Sequence, residues 1–98
     1  MEIDHKLIEA KGVADVIAKN SLVEGNVKSI KITCDYFSSH SSDAIIFVIL
    51  DHIESTKEKL EQELKLQAEY LPFEIKLFTE EEFNQSYYPS IATEIWSE

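Results

Sequence analysis

The first twenty residues carry apolar positions at helical spacing. Ile3, Leu7, Ala10, Ala14 and Ile17 share one face, and Val13 and Val16 widen it. Asp4 is placed to cap this helix, which the pattern carries to about Asn20. Gly12 lies inside it, at a cost of about 1 kcal/mol relative to alanine. Gly25-Asn26 is a stop and a turn. From Val27 to Tyr36 the period becomes two, with Ile30, Ile32, Cys34 and Tyr36 alternating with Lys31, Thr33 and Asp35. That is a strand buried on one face, at an edge or covered on one side. Ser38-Ser39-His40-Ser41-Ser42 is a polar loop of hairpin length. Ala44 to Leu50 is apolar throughout and rich in β-branched residues, which predicts a central strand buried on both faces.

The second half opens on a capping box, Ser55-Thr56-Lys57-Glu58. The helix it starts runs to about Tyr70, with Leu60, Leu64, Ala68 and Leu71 inward and Glu61 and Lys65 paired outside. Pro72 ends it. Phe73-Glu74-Ile75-Lys76-Leu77 alternates and predicts a third strand. Thr79-Glu80-Glu81-Glu82 is a second capping box, opening a short helix. Tyr87-Tyr88-Pro89 interrupts, and Ser90 to Trp96 is expected to form a last helical turn or two. The predicted order is α-β-β-α-β-α-α, a single small α/β (α+β) domain. The first two strands suit an antiparallel hairpin. The 22 residues between Leu50 and Phe73 suit a right-handed parallel crossover. The expected sheet is three-stranded and mixed, in the order 1-2-3, with helices packed on at least one face.

Charge changes the picture of function more than of fold. The chain has 98 residues and a net charge of -10, from 19 carboxylates against nine basic residues, all of them lysine. With no arginine and no basic stripe it lacks the means to neutralise a phosphate backbone, so nucleic acid is not an expected partner. An anionic membrane surface is excluded on the same ground, and no apolar run approaches the roughly 18 residues of a spanning helix. The acidic start, Met1-Glu2-Ile3-Asp4, is unlike a secretory signal. Cys34 stands alone, which fits a reducing cytoplasm. The charge is also uneven. Residues 1–49 hold seven acids and five lysines, residues 50–98 hold twelve acids and four lysines, and no lysine follows Lys76.

Candidate chemistry is sparse. Asp51-His52 sits at the carboxyl end of the central strand, where open α/β sheets place their ligands; it reads more readily as a strand-to-helix turn. His40 in the serine loop, with Asp43 to orient it, has the residue types of a nucleophilic site on a loop ill suited to preorganisation. His5, His40 and His52 have no metal-ligand spacing. Asp43 and Asp51 stand about 26 Å apart along an extended strand and cannot share an ion. The acids Glu54, Glu58, Glu61 and Glu63, then Glu80, Glu81 and Glu82, complement helix N-termini and also offer a surface to a basic partner. Tyr87, Tyr88 and Trp96 are the residue types that anchor interfaces or close a small core.

The segment Ser41-Ser42-Asp43-Ala44-Ile45-Ile46-Phe47-Val48-Ile49-Leu50, followed by a helix and then Phe73-Glu74-Ile75-Lys76-Leu77-Phe78-Thr79-Glu80-Glu81-Glu82-Phe83, resembles the minimal nucleotidyltransferase domains found singly or in toxin–antitoxin pairs. In that family a strand ends in Gly-Ser, Asp-x-Asp opens an apolar strand, and a third strand carries another acid. The resemblance implies that Asp43 matches the first carboxylate and Glu74 the third, which together would hold magnesium and a nucleotide. The second position is Ile45, and the Gly-Ser position falls near Cys34-Asp35, so the resemblance implies a degenerate copy. The reading that follows is a non-catalytic, cytoplasmic protein without a cofactor, antitoxin-like, immunity-like or accessory. It acts through a protein partner, basic or a second copy in a homodimer, with Glu80, Glu81, Glu82, Tyr87, Tyr88 and Trp96 at the contact. The alternatives are a nucleotidyltransferase-type enzyme using Asp43 and Glu74, and an acidic mimic of nucleic acid.

Overall fold

The computed structural model describes residues 2–33, 44–53, 57–67 and 73–98. Helix α1 (Glu2–Ala18) leads to strand β1 (Val27–Thr33) and strand β2 (Ala44–Leu50). Helix α2 (Lys57–Gln67) then precedes strand β3 (Phe73–Thr79), helix α3 (Glu80–Gln85), a 3-10 turn (Tyr88–Ile91) and strand β4 (Ala92–Ser97). The sheet order is β3-β2-β1-β4. β1 runs antiparallel to β2 with Ile30 opposite Val48, and β2 runs parallel to β3 with Ile46 opposite Ile75. The antiparallel pairing of β1 with β2 and the parallel pairing of β2 with β3 are therefore as expected.

The fourth strand corrects the three-stranded 1-2-3 sheet. Residues 92–97 are extended, not helical, and pair antiparallel with β1. Thr93, Ile95 and Trp96 favour a strand, but a β-bulge between Ile30 and Lys31 in the β1–β4 register hides the period of two. Ile30 pairs with Trp96 and Lys31 with Glu94, leaving Ile95 as the extra residue. Ile95 and Trp96 consequently both pack on the main core. β1 is an inner strand, not an edge, though it is covered as expected on one face, where Val27, Ile30 and Ile32 are buried.

β2 is apolar without alternation because it lies between two cores. Ile46, Val48 and Leu50 face the main one, with Ala10, Ala14 and Ile17 of α1 and Leu64 of α2. Phe47 and Ile49 face a second, built with Phe83 of α3 and edged by Ile45, Phe78, Tyr88 and Ala92. Its rings are close, with centroids 4.8 Å apart for Phe47–Tyr88 and 5.5 Å for Phe47–Phe83. Lys57 Nζ stands 4.2 Å from the centroid of Phe78 and closes that side by a cation–π contact.

Local expectations met mixed outcomes. α1 already contains Asp4, so Asp4 is inside the helix and not its cap, and Val16 is 53% exposed, off the buried stripe. Ile3 and Leu7 fall where side chains lie outside the description, as do Ser55, Ala68, Tyr70, Leu71 and Pro72 altogether. Glu61 does not pair outward with Lys65: it is half-buried and accepts the Leu77 N–H at 2.9 Å. β3 is an edge strand, and this outward backbone donor would otherwise lack a partner in the sheet. Gly25 holds a φ of 81°, the left-handed conformation that ends the turn before β1.

Candidate acidic groove

β2 and β3 are parallel, so their carboxyl ends lie side by side, and an open groove of about 750 Å³ sits there. β3 passes straight into α3. Thr79 ends the strand and caps the helix, accepting the Glu82 N–H at 3.3 Å while Glu82 accepts the Thr79 N–H at 3.0 Å. This is the capping box read from sequence. It holds the Glu82 carboxyl below its ordinary range, chiefly through the Thr79 backbone bond and secondarily through Lys57. Asn26, in the turn after Gly25, ties down the other wall. Its Nδ2–H donates to the His52 carbonyl (2.7 Å), its Oδ1 accepts the His52 N–H (3.2 Å), and its carbonyl accepts the Asp51 N–H (2.8 Å). Asp51-His52 is thus a backbone turn clamped by an asparagine, and the Asp51 carboxylate is left to face the groove.

Lys28 is the cation of this groove. A bulge in the β1–β2 register between Val27 and Ser29 turns it away from the core face. Its Nζ lies 3.0 Å from Glu80 Oε2 and 3.8 Å from Asp51 Oδ1. The Glu80 bond and charge, helped by Asp51 and Glu98, raise its pKa above the ordinary lysine value. Glu98 joins them because its N–H donates to the Lys28 carbonyl at 2.9 Å. Glu81 completes the rim and accepts from Gln85 Nε2 at 3.4 Å. Lys28 is shared between Asp51 and Glu80, with Glu81 on the same rim and the charge of Glu98 nearby. The local balance is negative.

Of the residues expected at a contact surface, Glu80 and Glu81 line the groove and Tyr87 is 70% exposed, its ring tilted against Tyr88 with centroids 4.7 Å apart. Glu82 serves the cap, Tyr88 belongs to the second core and Trp96 is half-buried on the main core. Asp43 lies outside the described residues, as do Cys34, Asp35, His40 and the serine loop. Glu74 is exposed near the amino end of β3, away from the groove. It sits beside Ile45 in register and 3.7 Å from Lys76. Sequence reasoning missed Lys28, the groove-lining Asn84 and Gln85, and Glu98. The first is turned into place by a bulge, which no local pattern announces, and the others are assembled by the β4–β1 pairing and by α3.

Comparison with protein-family models, with curated proteins and with solved structures gives no match to this chain. Among the described residues, no group of three or more His, Cys, Asp or Glu is placed to hold a metal ion, and no helix is long and apolar enough to cross a membrane.

Proposed function

We propose that this chain is a non-catalytic, cytoplasmic accessory protein that works by binding a basic protein through its acidic groove. The observation that carries this reading is the use of Lys28. Among the described residues the one lysine lining the groove, Lys28, is already engaged by Glu80 and Asp51, so the carboxylates around it remain in excess, on backbone held by the Asn26 clamp and the Thr79 cap. A partner's lysine or arginine entering there meets a preformed negative site, and the exposed Tyr87 ring supplies apolar contact area elsewhere on the same acidic half. Zero-length carbodiimide coupling tests it. In extract, partner lysines should couple to Asp51, Glu80 or Glu81, and the product should disappear in the Asp51→Asn/Glu80→Gln/Glu81→Gln variant. Coupling that is unchanged in that variant refutes the groove as the contact.

The nucleotidyltransferase alternative draws on one register. Ile45 and Glu74, at the positions of the second and third carboxylates, are neighbours on adjacent parallel strands. The layout suits that chemistry, but Ile45 supplies no ligand and Glu74 already has Lys76 at 3.7 Å. Micromolar binding of magnesium–ATP by calorimetry, lost in Asp43→Ala, would replace the first reading with this one. A nucleic-acid mimic needs a long uncompensated acidic array. Here Asp15, Asp51, Glu74, Glu80 and Glu94 each have a lysine within 4 Å, so that reading has little support.

A further inference from the structure

The two edges of the sheet are finished differently. At the β3 edge, the Glu61 carboxylate of α2 takes the Leu77 N–H and occupies a site where another strand would bond. At the β4 edge, no further strand pairs among the described residues. Its outward groups can be assigned from the ladder. Lys28 gives its carbonyl to Glu98, so residues 28, 30 and 32 of β1 turn toward β4. Of β4, Trp96 and Thr93 then turn inward opposite Ile30 and Ile32, while Ser97, Glu94 and Ala92 turn their backbone groups outward. Glu94 and Ser97 are exposed, and Tyr87 and the partly exposed Ile91 lie immediately before the strand. Exposed strand edges of this kind are templates for pairing with another chain.

We propose that β4 takes up an extended, lysine- or arginine-bearing segment of the partner protein as a fifth strand. This rests on the protein-binding reading above and adds how the partner binds. Charge selects the occupant. Glu94 and Glu98 stand on or beside the edge strand, and beyond Lys76 the chain has five carboxylates and no lysine. Glu94 already has Lys31 Nζ at 3.5 Å but keeps about half of its side chain open, so a segment with basic side chains at alternate positions sets one of them on its exposed side, while its backbone bonds to Ala92, Glu94 and Ser97. A second copy would bring its own Glu94 and Glu98 to the same edge, and a further charge of -10. Like charges across a strand pair are destabilising.

The test uses the full chain, 15N-labelled, with three synthetic ten-residue peptides: alternating valine–lysine, the same peptide N-methylated at alternate amides, and alternating valine–glutamate. The valine–lysine peptide should slow amide exchange at Ala92, Glu94 and Ser97 by about tenfold or more. The N-methylated and valine–glutamate peptides should not. Glu94→Lys should weaken binding by roughly two- to fivefold, the range of one cross-strand charge pair. If the methylated peptide binds equally and shifts Lys28, Asp51 and Glu80 instead, strand addition is wrong while the acidic-groove reading stands. If the valine–glutamate peptide binds as well as the lysine one, charge selection is wrong. Dimers by sedimentation, with the Ser97 amide protected before any peptide is added, would assign the edge to a second copy and overturn the proposal. If no peptide binds at about millimolar concentration and no groove resonance moves, both this inference and the reading it rests on fail.

Discussion

Replacing each of the two glycines by alanine is expected to move stability in opposite directions. Gly12 lies in the interior of α1, and a Cβ built there meets nothing within 4 Å. Alanine in its place avoids the backbone entropy that glycine loses on folding, so Gly12→Ala should stabilise by about 0.8–1 kcal/mol. Gly25 also has open space around a Cβ, so steric contact with neighbours is not at issue there. What opposes alanine is the φ of 81°. The left-handed conformation costs an L-residue about 1–2 kcal/mol, partly offset by the stiffer unfolded chain, and Gly25→Ala should lose about 1 kcal/mol net. In a domain of this size about 1 kcal/mol moves Tm by roughly 4–8 °C, so the two variants should melt roughly 8–16 °C apart. Urea and thermal unfolding followed by circular dichroism would measure it. Gly25→Asn should recover part of the loss, because asparagine tolerates this conformation. If Gly12→Ala destabilises, the outer face of α1 is not open at this position. If Gly25→Ala is neutral, the turn does not hold its positive φ.

Three further outcomes follow from the packing and the caps. Phe47 is fully buried among Phe78, Phe83 and Tyr88; Phe47→Ala should cost about 3–5 kcal/mol in urea unfolding, and a loss under about 1 kcal/mol would show the second core to be dispensable. Glu61→Ala leaves the Leu77 N–H without its carboxylate, so it should cost roughly 1–3 kcal/mol and speed Leu77 amide exchange, whereas protection unchanged from the parent would refute that bond. The Glu82 carboxyl is lowered in the folded state, so its contribution is complete above the ordinary carboxylate range and is lost as pH falls through the lowered value. Stability against pH should therefore fall less steeply on acidification in Glu82→Gln than in the parent, and parallel curves would refute the linkage.

Much of the scaffold was legible because the chain states it locally. The unbroken run at Ala44–Leu50 marked a strand with apolar cover on both sides, and two cores are there. Thr79 and Glu82 announced their cap by type and spacing. What stayed hidden depends on pairing at long range. Ala92–Ser97 lost its alternation to one bulge, and Lys28 reached the groove through another. Glu61 looked like half of an i,i+4 pair with Lys65, but the demand of an edge strand for a backbone acceptor is invisible until β3 is known to be an edge. For the candidate site, Glu80, Glu81 and Asp51 were readable as acids at element ends. The meeting of Asp51 and Glu80 at one lysine was not, since it joins residues 28, 51 and 80.

The pairing of β4 with β1 has a consequence for synthesis on the ribosome. Residues 27–33 are made early, yet their outer neighbour spans residues 92–97. Until that stretch leaves the exit tunnel, an emerging chain can zip β1 to β2 and then add β3, but β1 is left as a temporary flank and the Phe47–Ile49 face lacks the covering supplied by residues 83–92. Any partly made chain that has paired β1, β2 and β3 therefore presents apolar surface and open strand backbone together. When residues 92–97 emerge they cover that flank, and the turn before them brings Tyr88 against Phe47.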